Sequence, residues 1–552
     1  MLSPNDRGRI VAVEQAPSEE KIFPLWRWLS LAGALLCAAV IFLVPLFVPP
    51  PSIFRFQLDT NLTILSKWLL LQWLSVGALC VGAICLLTPL ARRYASPAAL
   101  PTTLLLGWLL WSGVSLLINP NSAHAASLWF PILCAGLAAC CGPMFFSSQR
   151  RHGLLLGAAL AASVIVCTIG IASTFGVPHF IRFLYGIEIS ALREARWFAE
   201  GGARSATAMS TLANPEYAGT YTAAMLCLWA VVLLDWCSWL AGRARAENVW
   251  MARIACLIAI GLCFLQIVFT GSRQAFITVA IAGFFRLCVE IAVPRRWLAA
   301  GFATYLIMLV WGGVLAGIVT LLAGIAAVFV LSRGAIIALI RRTNIFNSLL
   351  VVVLPVTLVT LALLYSIPGP WNPSGLRVLG RFSSLLSSND NSYVERLVMF
   401  SLASEMAREN PLFGVGPGRY RSEFKATFAD LMEADRSGVF ALMSDRFGNR
   451  IGEQAHNDYL HIAAETGLVG LSLFLLMVFT LLAALSRAAD QCTGSRRLLA
   501  ISYLVVIAAF LLLMLSSFPL HMPSRAAVWW MLIGGALGFV AMNQATDQKP
   551  AL

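Results

Sequence analysis

The stretch EQAHNDYLHIAAETGLVG places His456, Asn457 and Asp458 directly before an apolar run. Histidine takes or gives a proton near neutral pH more readily than any other side chain. A helix beginning near Tyr459 would offer free backbone N–H groups and its positive dipole end at the same place. That arrangement suits a phosphate or a developing anion. The same residues also read as structure alone, with Asn457 or Asp458 capping the helix and His456 merely preceding it.

Four arginines extend the first reading. Arg273 sits in FTGSRQAF, at the turn of a tight helical hairpin, and Arg204 lies in GGARSATAMSTLANPEYAG. Arg396 falls on an amphipathic segment, and Arg525 opens the last apolar run. A planar guanidinium binds phosphate in bidentate fashion, so several of these around one histidine could hold a pyrophosphate. Each alone reads equally as an interfacial anchor. Arg333, in FVLSRGAIIALI, falls inside an apolar run and is either functional or snorkelling towards Arg341-Arg342. The glycines of NPLFGVGPGRY, Gly414, Gly416 and Gly418, do not make a dinucleotide fingerprint, because no strand precedes them. They permit a tight backbone path, with Gly416 close to a ligand. His521 lies in FPLHMP, a short turn between the last two apolar runs that could form the rim of a cavity.

The elements that must position these groups are membrane helices. Hydrophobic residues make up 59% of the chain and charged residues 12%, against roughly a quarter charged in soluble domains. Apolar runs of about 20 residues recur throughout, each long enough to cross a bilayer. The reading is an all-α integral membrane protein with about 14 transmembrane helices (range 12–14). The spans fall at about 29–48, 65–89, 100–118, 125–146, 153–175, 215–236, 252–270, 274–292, 297–318, 319–340, 346–366, 459–485, 498–517 and 526–543. Residues 1–28 and 544–552 form tails on the cytoplasmic side.

The net charge of +13 is concentrated in short clusters such as Arg92-Arg93, Arg150-Arg151 and Arg496-Arg497. This is the positive-inside pattern of a membrane protein and not a nucleic-acid footprint. It orients both termini inward. A medium outer loop then lies near 176–213 and a large one at 367–458, with an amphipathic helix capped by Asn391 or Ser392. The first apolar run is too long for a cleaved signal peptide. The 13 cysteines fall in or beside apolar runs and none lies in the long polar segment before His456, so neither a disulfide framework nor a metal-binding CxxC pair is present.

NPLFGVGPGRY and HNDYLHIAAETGLVGL, about 35 residues apart on one outer loop, closely resemble the O-antigen ligase and O-antigen polymerase superfamily. STLANPEYAG, TGSRQAF and FPLHMP resemble its other segments in the same order, with Gln274 where glycine is usual and Arg419 where a smaller polar residue is common. The resemblance covers roughly Arg204 to the C-terminus. It implies a glycosyltransferase of the bacterial inner membrane with its site facing the periplasm. The donor would be a glycan on undecaprenyl pyrophosphate, and the acceptor another glycan, lipid A core or a protein. Polysaccharide assembly proteins would be partners. The reaction would proceed with inversion and need neither cofactor nor metal. In that reading His456 is the base, Arg273, Arg204 and Arg396 bind the donor pyrophosphate, and Asn457, Asp458, Gly416 and Arg525 support the site or the acceptor. A transporter or lipid-linked glycan flippase is the alternative. It would need charged residues near mid-bilayer and repeated broken helices, for which Arg333 is the strongest candidate.

Overall fold

The computed structural model describes residues 24–47, 60–87, 99–119, 123–174, 210–212, 214–270, 272, 274–279, 281–282, 391–435, 440 and 452–547. Among these every regular element is helical: α1 Pro24–Leu46, α2 Thr60–Leu86, α3 Ala99–Ile118, α4 Ala123–Cys140, α5 Gly142–Phe145 and α6 Gln149–Thr174. A 3-10 turn at Ser210–Leu212 leads to α7 Pro215–Val231, which continues through a π-helical turn into α8 Cys237–Ala241. Then come α9 Ala246–Thr270, α10 Asn391–Glu409, α11 Tyr420–Ala434, α12 Asp458–Gln491, α13 Gly494–Met514 and α14 Pro523–Asp547. Nine of the described helices are long and apolar enough to cross a membrane, and α4 carries a shorter apolar helix. They match the expected spans in order. Most of the 274–292 span, the three spans between 297 and 366, and nearly all of the 176–213 loop lie outside the described residues. So does all of the large loop before Asn391.

The helices pack around α14, whose apolar stretch Pro523–Gln544 is buried on all sides. Trp529 and Trp530 are fully enclosed there. Small residues let backbones touch, as in many membrane helix pairs: a Cβ on Gly142 of α5 would collide with the Gly534 carbonyl of α14. Outer helices show leucines and aromatics such as Trp73, Leu110 and Phe479 on their exposed faces. Lipid chains as apolar as leucine impose no penalty on that exposure.

The bundle has two chemically different ends. At one, Arg151 donates to the carbonyls of Phe145 and Arg27, and Ser495 of α13 meets Gln149 of α6 at 2.7 Å. The basic pairs Arg150-Arg151 and Arg496-Arg497 gather there. At the other end Lys67, Thr211, Tyr217, His456 and Phe518 meet. That segregation is what the charge clusters imply.

The large loop contributes a small helical body. Val398, Leu402 and Met406 of α10 pack with Tyr420 and Phe424 of α11 and with Ala455 and Ala464. Asn391 and Ser392, the expected caps, already lie in the first turn of α10.

Candidate functional site

The helix that follows His456 is broken. At 34 residues α12 would be about 51 Å long if continuous, but Gly467 has φ +70° and ψ −179° and interrupts it. A break frees backbone groups that hydrocarbon cannot satisfy. The glycine loop 410–419 satisfies them. Val415 N–H donates to the Ala464 carbonyl at 2.8 Å, Gly416 N–H to Glu465 at 3.0 Å, and Leu468 N–H to Pro411 at 2.8 Å. Trp111 of α3 covers the Thr466 carbonyl at 2.9 Å, and Ser115 donates to that of Glu465 at 3.1 Å.

Gly414 and Gly467, both at positive φ, stand backbone to backbone against this splice. A Cβ on the first would collide with Glu465, and one on the second with Leu412. Gly416 therefore serves the splice, and its conformation (φ +103°) faces Arg419 and Asn119. Gly467→Ala is expected to cost on the order of 1–3 kcal/mol from its φ alone, with the clash added. Thermal unfolding of the solubilised protein checks this, and a wild-type midpoint would refute it.

The splice and the N-cap fix His456. Asn457 is the cap: its Oδ1 accepts from Leu460 N–H at 3.0 Å, and its amide donates to the Leu515 carbonyl at 3.0 Å. Immediately before it, His456 turns into the left-handed region with φ +53°. That conformation is uncommon outside glycine, though His, Asn and Asp adopt it more readily than most. The turn sets the imidazole edge-on to Phe518, 4.6 Å between centroids. Nδ1 is buried without a hydrogen-bond partner, which leaves Nε2 as the nitrogen open to a substrate. Burial pushes the His456 pKa down to about 4; Arg396 and Arg525 add to the depression and Glu216 opposes it. The ring is therefore neutral at physiological pH, with a lone pair for a proton.

Positive charge surrounds it. Arg525, fully buried, donates to Thr220 and Ser517 hydroxyls at 2.8 Å each. Its guanidinium lies over Tyr217 at 4.7 Å and near Phe518 at 5.4 Å. Arg396, a quarter exposed, approaches Glu216 at 3.8 Å. Glu216 stands in the first turn of α7, which Asn214 caps at 2.8 Å. Arg396 can thus touch a ligand, whereas Arg525 supplies a fixed charge beneath the site.

Lys67 of α2, which the sequence reading passed over, lies 2% exposed. Its ammonium donates to the carbonyls of Pro45 at 2.8 Å and Thr211 at 2.6 Å, and to Ser524 at 3.3 Å. It ties α1, the 3-10 turn and the start of α14 together beside Arg525. The signal was a lysine within an apolar run, which reads as functional by default.

A second histidine pair lies one turn deeper. Asp458, fully buried, accepts from Leu520 N–H at 2.9 Å and holds His521 Nδ1 at 2.6 Å. Burial acts to lower the His521 pKa, but the Asp458 hydrogen bond and charge, with Glu465, raise it overall. His461 packs against His521 with tilted rings, centroids 3.8 Å apart, and pairs with Glu465 at 3.1 Å. Glu465 also accepts from Tyr420 N–H at 3.2 Å. The i,i+4 spacing on α12 sets it against His461. The ligand atoms of His461, Glu465 and His521 lie within 4.8 Å of one another. However, Ala455 N–H donates to His461 Nδ1 at 3.2 Å, so Nε2 carries the proton and points it at Glu465. That tautomer leaves no lone pair for an ion.

The structure thus gathers His456, Asn457, Asp458, Arg396 and Arg525 from the expected set, and adds Glu216, Lys67, His461 and His521. Arg204, Arg273 and Arg333 lie outside the described residues.

Residues 258–475 match the O-antigen ligase family model. Over that segment the chain is similar to the O-antigen ligase family. The matched segment includes α10, the glycine loop, α11 and the turn of α12 from His456 to Glu465, while Lys67, Glu216 and Arg525 lie outside it. The match supports the O-antigen ligase and polymerase superfamily, and the nine long apolar helices among the described residues suit a multi-pass membrane protein. No curated protein matches the chain.

Proposed function

We propose that the protein transfers a glycan from an undecaprenyl-pyrophosphate donor to an acceptor hydroxyl at the periplasmic face of the bacterial inner membrane. The observation that carries this reading is His456 itself. It is a neutral imidazole in a left-handed turn at the bundle end away from the basic clusters, with Arg396 and Arg525 beside it. A transporter has no need of such an unpartnered base under fixed positive charge.

The acceptor oxygen attacks the anomeric carbon as the carbon–oxygen bond to the pyrophosphate breaks. The hydroxyl proton passes to His456 Nε2. Undecaprenyl pyrophosphate leaves with the bonding electron pair, and the cations stabilise the charge it gains in a site with little water. Arg273 and Arg204 remain proposed donor contacts on sequence grounds, with Arg396 as the described member of that set. Asp458 positions the 519–521 turn through Leu520 and His521. The step as written uses no metal and no cofactor.

Gel profiles of surface glycans from a deletion strain test the assignment. Loss of long chains from lipid A core with lipid-linked polymer still made marks a ligase, and accumulation of single repeat units marks a polymerase. An unchanged profile removes both. Orientation has its own test. Asp430, exposed on α11, is changed to cysteine and treated with a membrane-impermeant thiol reagent. Labelling from the periplasm is expected, and labelling only from the cytoplasm would invert the topology.

A further inference from the structure

A cavity of about 360 Å³ opens beside His461, within the range of roughly 300–1,000 Å³ usual for small-molecule sites. The transfer chemistry above does not use it. Trp68, Trp108 and Trp129, from α2, α3 and α4, form its apolar wall, and His461, Glu465 and His521 its polar one. Arg421 and Glu453 stand at its rim, half-exposed and paired at 2.7 Å. It shares Ile64 and Met522 with the small void lined by Tyr217 and Arg525, so it adjoins the transfer centre across the 519–521 turn.

We propose that this cavity holds a neutral sugar ring of the acceptor glycan. The proposal rests on the transfer reading and deepens it. A pyranose has faces of C–H bonds and a rim of hydroxyls, and each part has its counterpart here. The indoles offer large flat apolar surfaces. The Glu465 carboxylate accepts from His461 Nε2 and Tyr420 N–H at Oε1 and takes a further hydrogen bond from the Gly418 backbone. A carboxylate offers about four acceptor positions, so it has capacity left for a hydroxyl. His521 spends Nδ1 on Asp458 and has Nε2 left for a hydroxyl, which can donate or accept.

Charge excludes the other half of the substrate pair. Arg421 is neutralised by Glu453, and Glu465 adds a carboxylate facing inward. A diphosphate would meet like charge here, while across the turn it meets Arg396 and Arg525. A polyprenyl tail would leave Glu465 and His521 facing hydrocarbon, which costs free energy that hydroxyls repay.

The test uses full-length protein in lipid nanodiscs and saturation-transfer NMR with two probes. One is a panel of methyl glycosides of glucose, galactose, mannose, rhamnose and N-acetylglucosamine, and the other is geranyl pyrophosphate. At least one glycoside is expected to bind. Its affinity should fall tenfold or more in Trp129→Ala and in Glu465→Gln and be largely restored in Trp129→Phe. Geranyl pyrophosphate should bind all of these alike. The proposal is overturned if no glycoside binds, if glycoside binding survives both substitutions, or if the cavity variants weaken geranyl pyrophosphate instead. Failure of the transfer reading looks different. Geranyl pyrophosphate would then not bind wild type, or would bind Arg525→Met equally well, whatever the glycosides do.

Discussion

Replacing His456 with asparagine is expected to lower the rate of glycan transfer by about two to four orders of magnitude, the usual contribution of a positioned base. Asparagine is the informative choice because the position has φ +53°. Asn tolerates the left-handed region, so the turn and the Asn457 cap survive. His456→Ala should lose the same activity with a further loss of stability. Initial rates in proteoliposomes, beside thermal unfolding of each variant, separate the two effects. An active His456→Asn enzyme would remove the imidazole from the chemistry.

The pH profile gives an independent reading of the same group. Only the neutral ring accepts a proton, and burial has lowered its pKa to about 4. The profile of kcat/KM reports the free enzyme. It should therefore stay level from pH 7 to about 5 and fall only as pH drops through about 4. The bound donor's negative charge favours the imidazolium, so the acid limb of kcat should lie higher. A kcat/KM limb near 6.5, the unperturbed histidine value, would contradict the enclosed site.

Arg525→Met should reduce kcat/KM about a hundredfold, the scale seen when a preorganised electrostatic group is removed from a reacting centre. The substitution keeps much of the volume and removes the charge. The partners lose little, because the Thr220 hydroxyl already donates to the Glu216 carbonyl at 2.8 Å and well-packed apolar replacements of buried charges are often tolerated. Arg525→Lys keeps the charge but not the fork over Tyr217 and should retain more activity than Arg525→Met. Equal activity in all three proteins, measured as kcat/KM for the donor, would make Arg525 a packing residue.

Hydropathy made the bundle legible because each span needs only length and apolarity. The His-Asn-Asp turn was legible for a similar reason, since capping is a local property. What stayed hidden depends on contacts remote in sequence. Lys67 reaches Thr211 and Ser524, 144 and 457 residues away, and nothing in its neighbourhood names those partners. Three glycines signal close approach of a backbone, and at Gly414 the approaching group is the broken turn of α12 before Gly467. That break is silent in the sequence because LVGLSLFLL continues as apolar as before. Helical spacing sets Glu465 against His461.

The central claim is that the glycan is moved by bond exchange at His456. Its most direct test follows a radiolabelled undecaprenyl-pyrophosphate glycan supplied to purified protein in proteoliposomes with an acceptor present. Wild type should place label on the acceptor while releasing one undecaprenyl pyrophosphate per glycan, and His456→Asn should do neither. Label that crosses the bilayer still joined to its lipid, at the same rate in both proteins, would contradict the account and leave a transporter in its place.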